Sequence, residues 1–168
     1  MKIFLAMSNS PRYLKLVRKL NAPNLLLSFE YFPTTFKVLE FLDGYYPEKL
    51  IIDSGAFSVW AKGSFVDIDK YISFCISVRE MIPDSTEVFI TNLDVLPGAF
   101  GRFPTAEERE ESATKGWENM EYIESKGLKV LPVFHQHEDF EILDKLREHS
   151  DYFGVSPAND VSMNEKLA

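Results

Sequence analysis

The sequence predicts an α/β protein whose parallel strands are joined by helical crossovers. Three observations carry this. Short apolar runs of strand length alternate with amphipathic stretches of helix length. Helix-opening signals stand before several of the amphipathic stretches. Polar residues gather directly after the apolar runs, where α/β proteins keep their reactive groups.

The elements follow in order. Residues 2–7 form a first strand, and Ser8-Asn9-Ser10-Pro11 caps a helix over 12–20. Residues 25–29 are a second strand, after which Pro33 opens a helix to 42. The third strand is 49–53; its helix, 67–81, is marked by Phe65, Ile68, Ile72, Phe74, Cys75 and Val78 at near-helical spacing. Residues 87–93 are the fourth strand. Thr105-Ala-Glu-Glu is a capping box that opens a long helix to 125, which Gly127 ends. The fifth strand is 129–134, followed by a helix over 138–148, a sixth strand over 151–155, and the opening turns of a sixth helix at 162–168.

Such alternation requires right-handed βαβ units, and two architectures accommodate them: an open doubly wound sheet or a parallel (β/α) barrel of TIM type. A full barrel needs about 200–250 residues; six strands in 168 residues are about six of its eight βα units. No linker, repeat or low-complexity tract divides the chain, so residues 1–168 are expected to form one domain, the N-terminal part of a longer barrel. A barrel halted there would leave two parallel edges unpaired, and the isolated chain is expected to dimerise as a homo-oligomer, to aggregate or to be only marginally stable.

Composition narrows the function classes. The chain has 18 Lys and Arg against 26 Asp and Glu, a net charge of −8, which argues against a freestanding nucleic-acid binder. Arg12, Lys15, Arg18 and Lys19 nevertheless fall along one helix and make a local basic face. With 45% hydrophobic residues the chain is not disordered, and a single cysteine, Cys75, excludes a disulfide framework. The apolar runs are too short to cross a bilayer, and the start makes a poor signal peptide, so a cytoplasmic protein with no membrane partner is expected.

The candidate chemistry lies past the strand ends: Asp53-Ser54-Gly55, Asn92-Leu-Asp94, His135-Gln136-His137-Glu-Asp139 and Gly154-Val155-Ser156-Pro. Asp53 is either a turn cap or a carboxylate that meets substrate. Asp94 has the same two readings, with Pro97-Gly98 completing the turn. Gln136, at the end of a buried strand, reads as a ligand contact, and Gly154 removes a side chain where backbone approaches a flat ligand. His135 and His137 alternate on an extended chain and could form a metal site with Asp139, but two histidines without a third firm ligand are weak evidence. No phosphate-binding glycine loop, nucleophile elbow or HExxH helix occurs. Cys75, Trp117 and Tyr122 read as packing residues.

Asp53-Ser-Gly-Ala-Phe resembles the Asp-Ser-Gly-Gly-aromatic motif of the tRNA-guanine transglycosylases (queuine tRNA-ribosyltransferases). Asn92-Leu-Asp94, Val133-Phe-His-Gln136 and Tyr152-Phe-Gly154-Val-Ser-Pro follow in that family's order. The strings DSGAFSVWAKG, NLDVLPG and YFGVSPAND look closer to the phage-type branch that inserts 7-deazaguanines into DNA. The resemblance spans residues 50–160.

It implies a (β/α) barrel that exchanges guanine in nucleic acid, DNA more than tRNA, for a 7-deazaguanine, in a host cytoplasm if phage-encoded. A carboxylate displaces guanine from the sugar, and the incoming base displaces the carboxylate. By resemblance, Asp53 is the general acid/base. Asp94 accepts from the guanine N1–H and amino group, Gln136 donates to its carbonyl, and Ser54, Gly55, Gly154 and Val155 line the base. Ala56 departs from the family's second glycine. The family's nucleophilic aspartate and structural zinc lie beyond the sixth strand, and Asp160 does not match the nucleophile, so these residues alone are not expected to complete the reaction, and no metal or other cofactor is expected within them. Two alternatives stay open: a shortened, non-catalytic purine- or partner-binding protein, and a metal-dependent hydrolase using His135 and His137.

Overall fold

The structure, a computed structural model, describes residues 2–7, 10–135 and 138–156. In chain order its elements are β1 (Leu5–Met7), α1 (Pro11–Leu20), β2 (Asn24–Ser28), α2 (Thr35–Leu42), β3 (Lys49–Asp53), α3 (Ala56–Trp60), α4 (Ile68–Met81), β4 (Glu87–Thr91), α5 (Ala106–Ser125), β5 (Val130–Leu131), β6 (Val133–His135), α6 (Phe140–His149) and β7 (Gly154–Ser156). The fold is α/β with parallel strands, and the chain divides into two compact units.

The first unit comprises Met1–Gly55 and Asp67–Thr91. Its strands run β1-β2-β3-β4, every pairing parallel, with Leu5 beside Leu25, Leu25 beside Leu50, and Leu50 beside Val88. Leu25, Leu27, Leu50 and Ile52 are fully buried, which explains why these strands are nearly continuous apolar runs. α2 and α4 open on side-chain caps, with Lys37 N–H donating to Thr34 Oγ1 at 3.3 Å and Lys70 N–H to Asp67 Oδ1 at 3.1 Å, whereas α1 opens on Pro11 with no side-chain cap bond from Ser10. Asn21 and Asp43 end α1 and α2 in the left-handed region, both at φ 45°. On α4, Tyr71, Phe74, Cys75 and Val78 are buried, and burial pushes the Cys75 thiol up to about 12, as befits a packing residue.

The second unit comprises Ala56–Val66 and Asn92–Ala168. The Thr105 capping box forms in full: Glu108 N–H donates to Thr105 Oγ1 at 3.2 Å and Thr105 N–H to Glu108 Oε2 at 2.9 Å. β6 and β7 pair in parallel, with Val133 beside Gly154 and His135 beside Ser156.

Several elements differ from the sequence expectation, beginning with the first strand, which starts only at Leu5. The expected strand over 129–134 is two short strands, because Pro132 has no N–H to give the ladder; its carbonyl instead accepts from Gly154 N–H at 2.8 Å. The fourth strand stops at Thr91 and the sixth starts only at Gly154. The short helix α3 is an addition, since five residues carry too little periodicity to be read from sequence. The expected helix at 162–168 lies outside the described residues. No helix among the described residues is long and apolar enough to cross a membrane.

Candidate functional site

The residues singled out in the sequence fall into two constructions, one in each unit. In the first unit, Asp53 ends β3 and Ser54-Gly55 turn the chain. Ser28 and Asp53 are register partners at the ends of β2 and β3, and Phe29 N–H donates to the Asp53 carbonyl at 2.8 Å. The half-buried Asp53 carboxylate accepts from Gly55 N–H at 3.0 Å, so it stiffens the turn that carries it. Ser54 is buried and its N–H donates to Thr91 Oγ1 at 3.1 Å, tying the turn to β4.

Gly55 is required here. Its φ is +73°, and a Cβ would stand 2.8 Å from Glu30 Cβ and 2.9 Å from Ser28 Oγ. Ser28 is itself buried, with no hydrogen-bond partner for its Oγ among the described residues. Beneath the turn, the fully buried Tyr71 hydroxyl reaches the carbonyls of Thr91 at 2.9 Å and Ile52 at 3.2 Å. Burial drives the Tyr71 phenol well above its ordinary value, and the neighbouring Cys75 and Asp53 charges push the same way. Tyr71 has no counterpart in the sequence reading: its hydroxyl falls on the apolar face of a helix, and only the strands it bridges give it a role.

In the second unit, the segment after β4 carries Asn92 and Asp94. The helix α5 positions it with two amide bonds: Asn92 Nδ2 donates to the Gly116 carbonyl at 2.9 Å and Asn119 Nδ2 to the Leu93 carbonyl at 2.8 Å. Asn92 is buried, and its Oδ1 has no partner among the described residues. Asp94 does not cap the Pro97-Gly98 turn. Its Oδ2 lies 3.1 Å from His135 Nε2, with the imidazole 9% and the carboxylate 18% exposed.

His135, at the end of β6, is clamped by its own backbone. Its N–H donates to Glu138 Oε2 at 2.7 Å and its carbonyl accepts from Glu138 N–H at 2.9 Å. Burial opposes charge on the imidazole, but the close Asp94 carboxylate and the Glu138 charge outweigh it, so its pKa is raised. Glu138 is raised as well, by burial first and by the Asp94 charge, against the pull of the His135 backbone bond. A cavity of about 30 Å³ adjoins these groups, lined by Asn92, Asp94, His135 and Glu138 together with α5 and α6. It is the size of a water molecule and too small for a purine.

Gly154 and Val155 lie on β7 beside β6. Gly154 N–H is committed to the Pro132 carbonyl and so is not free for a base, while Val155 is exposed. Gln136, His137, Pro157, Asn159 and Asp160 lie outside the described residues. Among the described residues no cluster of three or more His, Cys, Asp or Glu side chains could hold a metal ion. The structure thus groups Asp53, Ser54 and Gly55 in one turn, and sets Asp94 against His135 and Glu138. Sequence reasoning named His135 only as a metal ligand, and it missed Glu138 and the unpartnered Asn92 Oδ1.

Comparison with protein-family models, with characterised proteins and with solved structures returns no match.

Proposed function

We propose that this chain binds a guanine-type base and belongs to a base-exchanging transglycosylase built on a (β/α) barrel, which replaces guanine in nucleic acid by a 7-deazaguanine. The observation that carries this reading is the Asp94 carboxylate, mostly buried and with one oxygen 3.1 Å from His135 Nε2. A guanine edge presents two donors side by side, the N1–H and the exocyclic amino group. A mostly buried carboxylate is the complementary acceptor, and leaving such an edge unpaired is costly.

Asp53 stands at the carboxyl end of its strand, where barrel enzymes keep reacting groups, and the Gly55 bond fixes its carboxylate. In the proposed reaction it handles the proton of the departing and entering base. A polyanionic partner is favoured by the exposed cations Arg12, Lys15 and Lys19, which share one face of α1 in a chain of net charge −8, and the preference for DNA over tRNA rests on the resemblance alone. Arg18, by contrast, is paired with Asp43 at 2.7 Å.

The test is incorporation of labelled 7-deazaguanine into DNA and into tRNA by the full-length protein. Asp53→Asn and Asp94→Asn should each abolish exchange while the fold persists; wild-type rates in both variants would overturn the proposal. Base binding without any exchange in the wild type would point instead to a purine-binding protein.

A further inference from the structure

We propose that the α1 face carrying Tyr13, Leu16 and Leu20 docks on a second copy of this chain, at an aromatic patch where Trp60, Phe100 and Phe103 border the acidic start of α5. This inference does not rest on the base-binding reading. On α1, Val17 is fully buried and fixes which side of the helix packs inward. Tyr13, Leu16 and Leu20 form an exposed apolar row at i, i+3 and i+7, and Arg12, Lys15 and Lys19 form a second row beside it. Phosphate contacts would account for the cations but leave the apolar row unexplained.

The receiving patch is built from a loop fastened at both sides. Trp60 Nε1–H donates to the Gly98 carbonyl at 3.0 Å, and Arg102 is ion-paired with Glu108 on α5. Phe100 meets Trp60 edge-on, with ring centres 5.5 Å apart, yet Phe100 and Phe103 stay exposed. Over residues 102–111 two arginines stand against four glutamates, of which Glu107, Glu110 and Glu111 are exposed.

The two faces are complementary in both respects. α1 carries Arg12, Lys15, Arg18 and Lys19 and no acidic residue, so its charge is opposite to that bordering the patch, and aromatic faces attract cations. The same acidic border would repel a nucleic acid, which favours a basic helix as the occupant. Because the two faces differ, the contact is heterologous, and each added copy brings a further face of each kind. One helical row on one patch stays below about 1,200 Å², the size of weak complexes.

The experiment is sedimentation velocity of the full chain at on the order of 100 μM, since a contact of this size need not be tight. The average mass should rise with protein concentration and fall with added salt, which screens exposed charges. Lys15→Glu/Lys19→Glu reverses the helix face and Phe100→Ser/Phe103→Ser removes the patch; each variant alone should sediment as a monomer. Mixed in equal amounts they should form a dimer and nothing larger, because each keeps the face that the other has lost. A monomeric wild type, association indifferent to salt, association that persists in both variants as strand-edge pairing would, or variants that stay monomeric when mixed would each overturn the inference. All four replaced side chains are exposed, so the fold should persist. A variant whose circular dichroism departs from the wild type gives way to Lys15→Gln/Lys19→Gln or to Phe103→Ser alone, read against the same outcomes.

Discussion

Gly55 packs so closely against Glu30 that a Cβ there would stand 2.8 Å from the Glu30 Cβ, while its φ of +73° already disfavours any side chain. The turn presenting Asp53 is therefore built around the absence of one methyl group. Gly44 separates the two causes, having φ +77° with nothing within 4 Å of the place a methyl would occupy. Gly44→Ala should cost only the backbone strain, about 1–2 kcal/mol. Gly55→Ala should cost at least about 1 kcal/mol more, because the clash adds to the strain. Equal shifts of the urea midpoint would contradict the packing described for this turn.

Tyr71→Phe removes a hydroxyl shared by two buried carbonyls while leaving the ring contact with Phe29 at 5.6 Å. A loss of about 1–3 kcal/mol is expected in denaturant unfolding. Because burial raises the phenol, the folded state holds a proton that the unfolded state releases above about pH 10, so stability should fall as pH rises beyond that value. Tyr71→Phe should show a flatter alkaline limb; an unchanged limb would remove Tyr71 as its cause.

The Asp94–His135–Glu138 cluster makes its own pH prediction. His135 is raised from 6.5 and Glu138 from 4.5, so the folded state binds more protons than the unfolded one. Their stabilisation is fully present below those ordinary values and is lost as pH climbs through the raised ones. Asp94→Asn withdraws a charge that raises both, so the decline in stability above about pH 6.5 should be shallower than in the wild type. Parallel profiles would show that Asp94 does not govern the pair.

Nucleic-acid binding, if α1 makes the phosphate contacts, should depend on salt through Arg12, Lys15 and Lys19. Replacing all three with Gln should reduce the slope of log affinity against log salt by about 2–3, since each phosphate contact on duplex DNA contributes about 0.9. Because the three side chains are exposed, the melting temperature should hardly move. A lowered affinity with an unchanged slope would place the contacts elsewhere.

The alternation of strands and helices was legible because its causes are local. Leu25–Leu27 and Leu50–Ile52 are apolar at consecutive positions because buried parallel strands are covered on both faces. Thr105 and Glu108 announce a helix start because a capping box needs residue types only three apart. The same locality located Asp53 and Asp94 beyond strand ends. It also left each with two readings, since a carboxylate beside a turn looks alike whether it caps or binds.

Local signals were therefore enough to tell which segments form parallel strands, where the helices open, and which carboxylates follow the strands. Packing had to settle that Asp53 bonds its own turn through Gly55 while Asp94 turns to His135 and Glu138. Packing also showed that Tyr71 bridges two strands and that Pro132 breaks one. Propensity, capping and periodicity act over a few residues, whereas burial and hydrogen-bond partnership between distant segments exist only once the chain has packed.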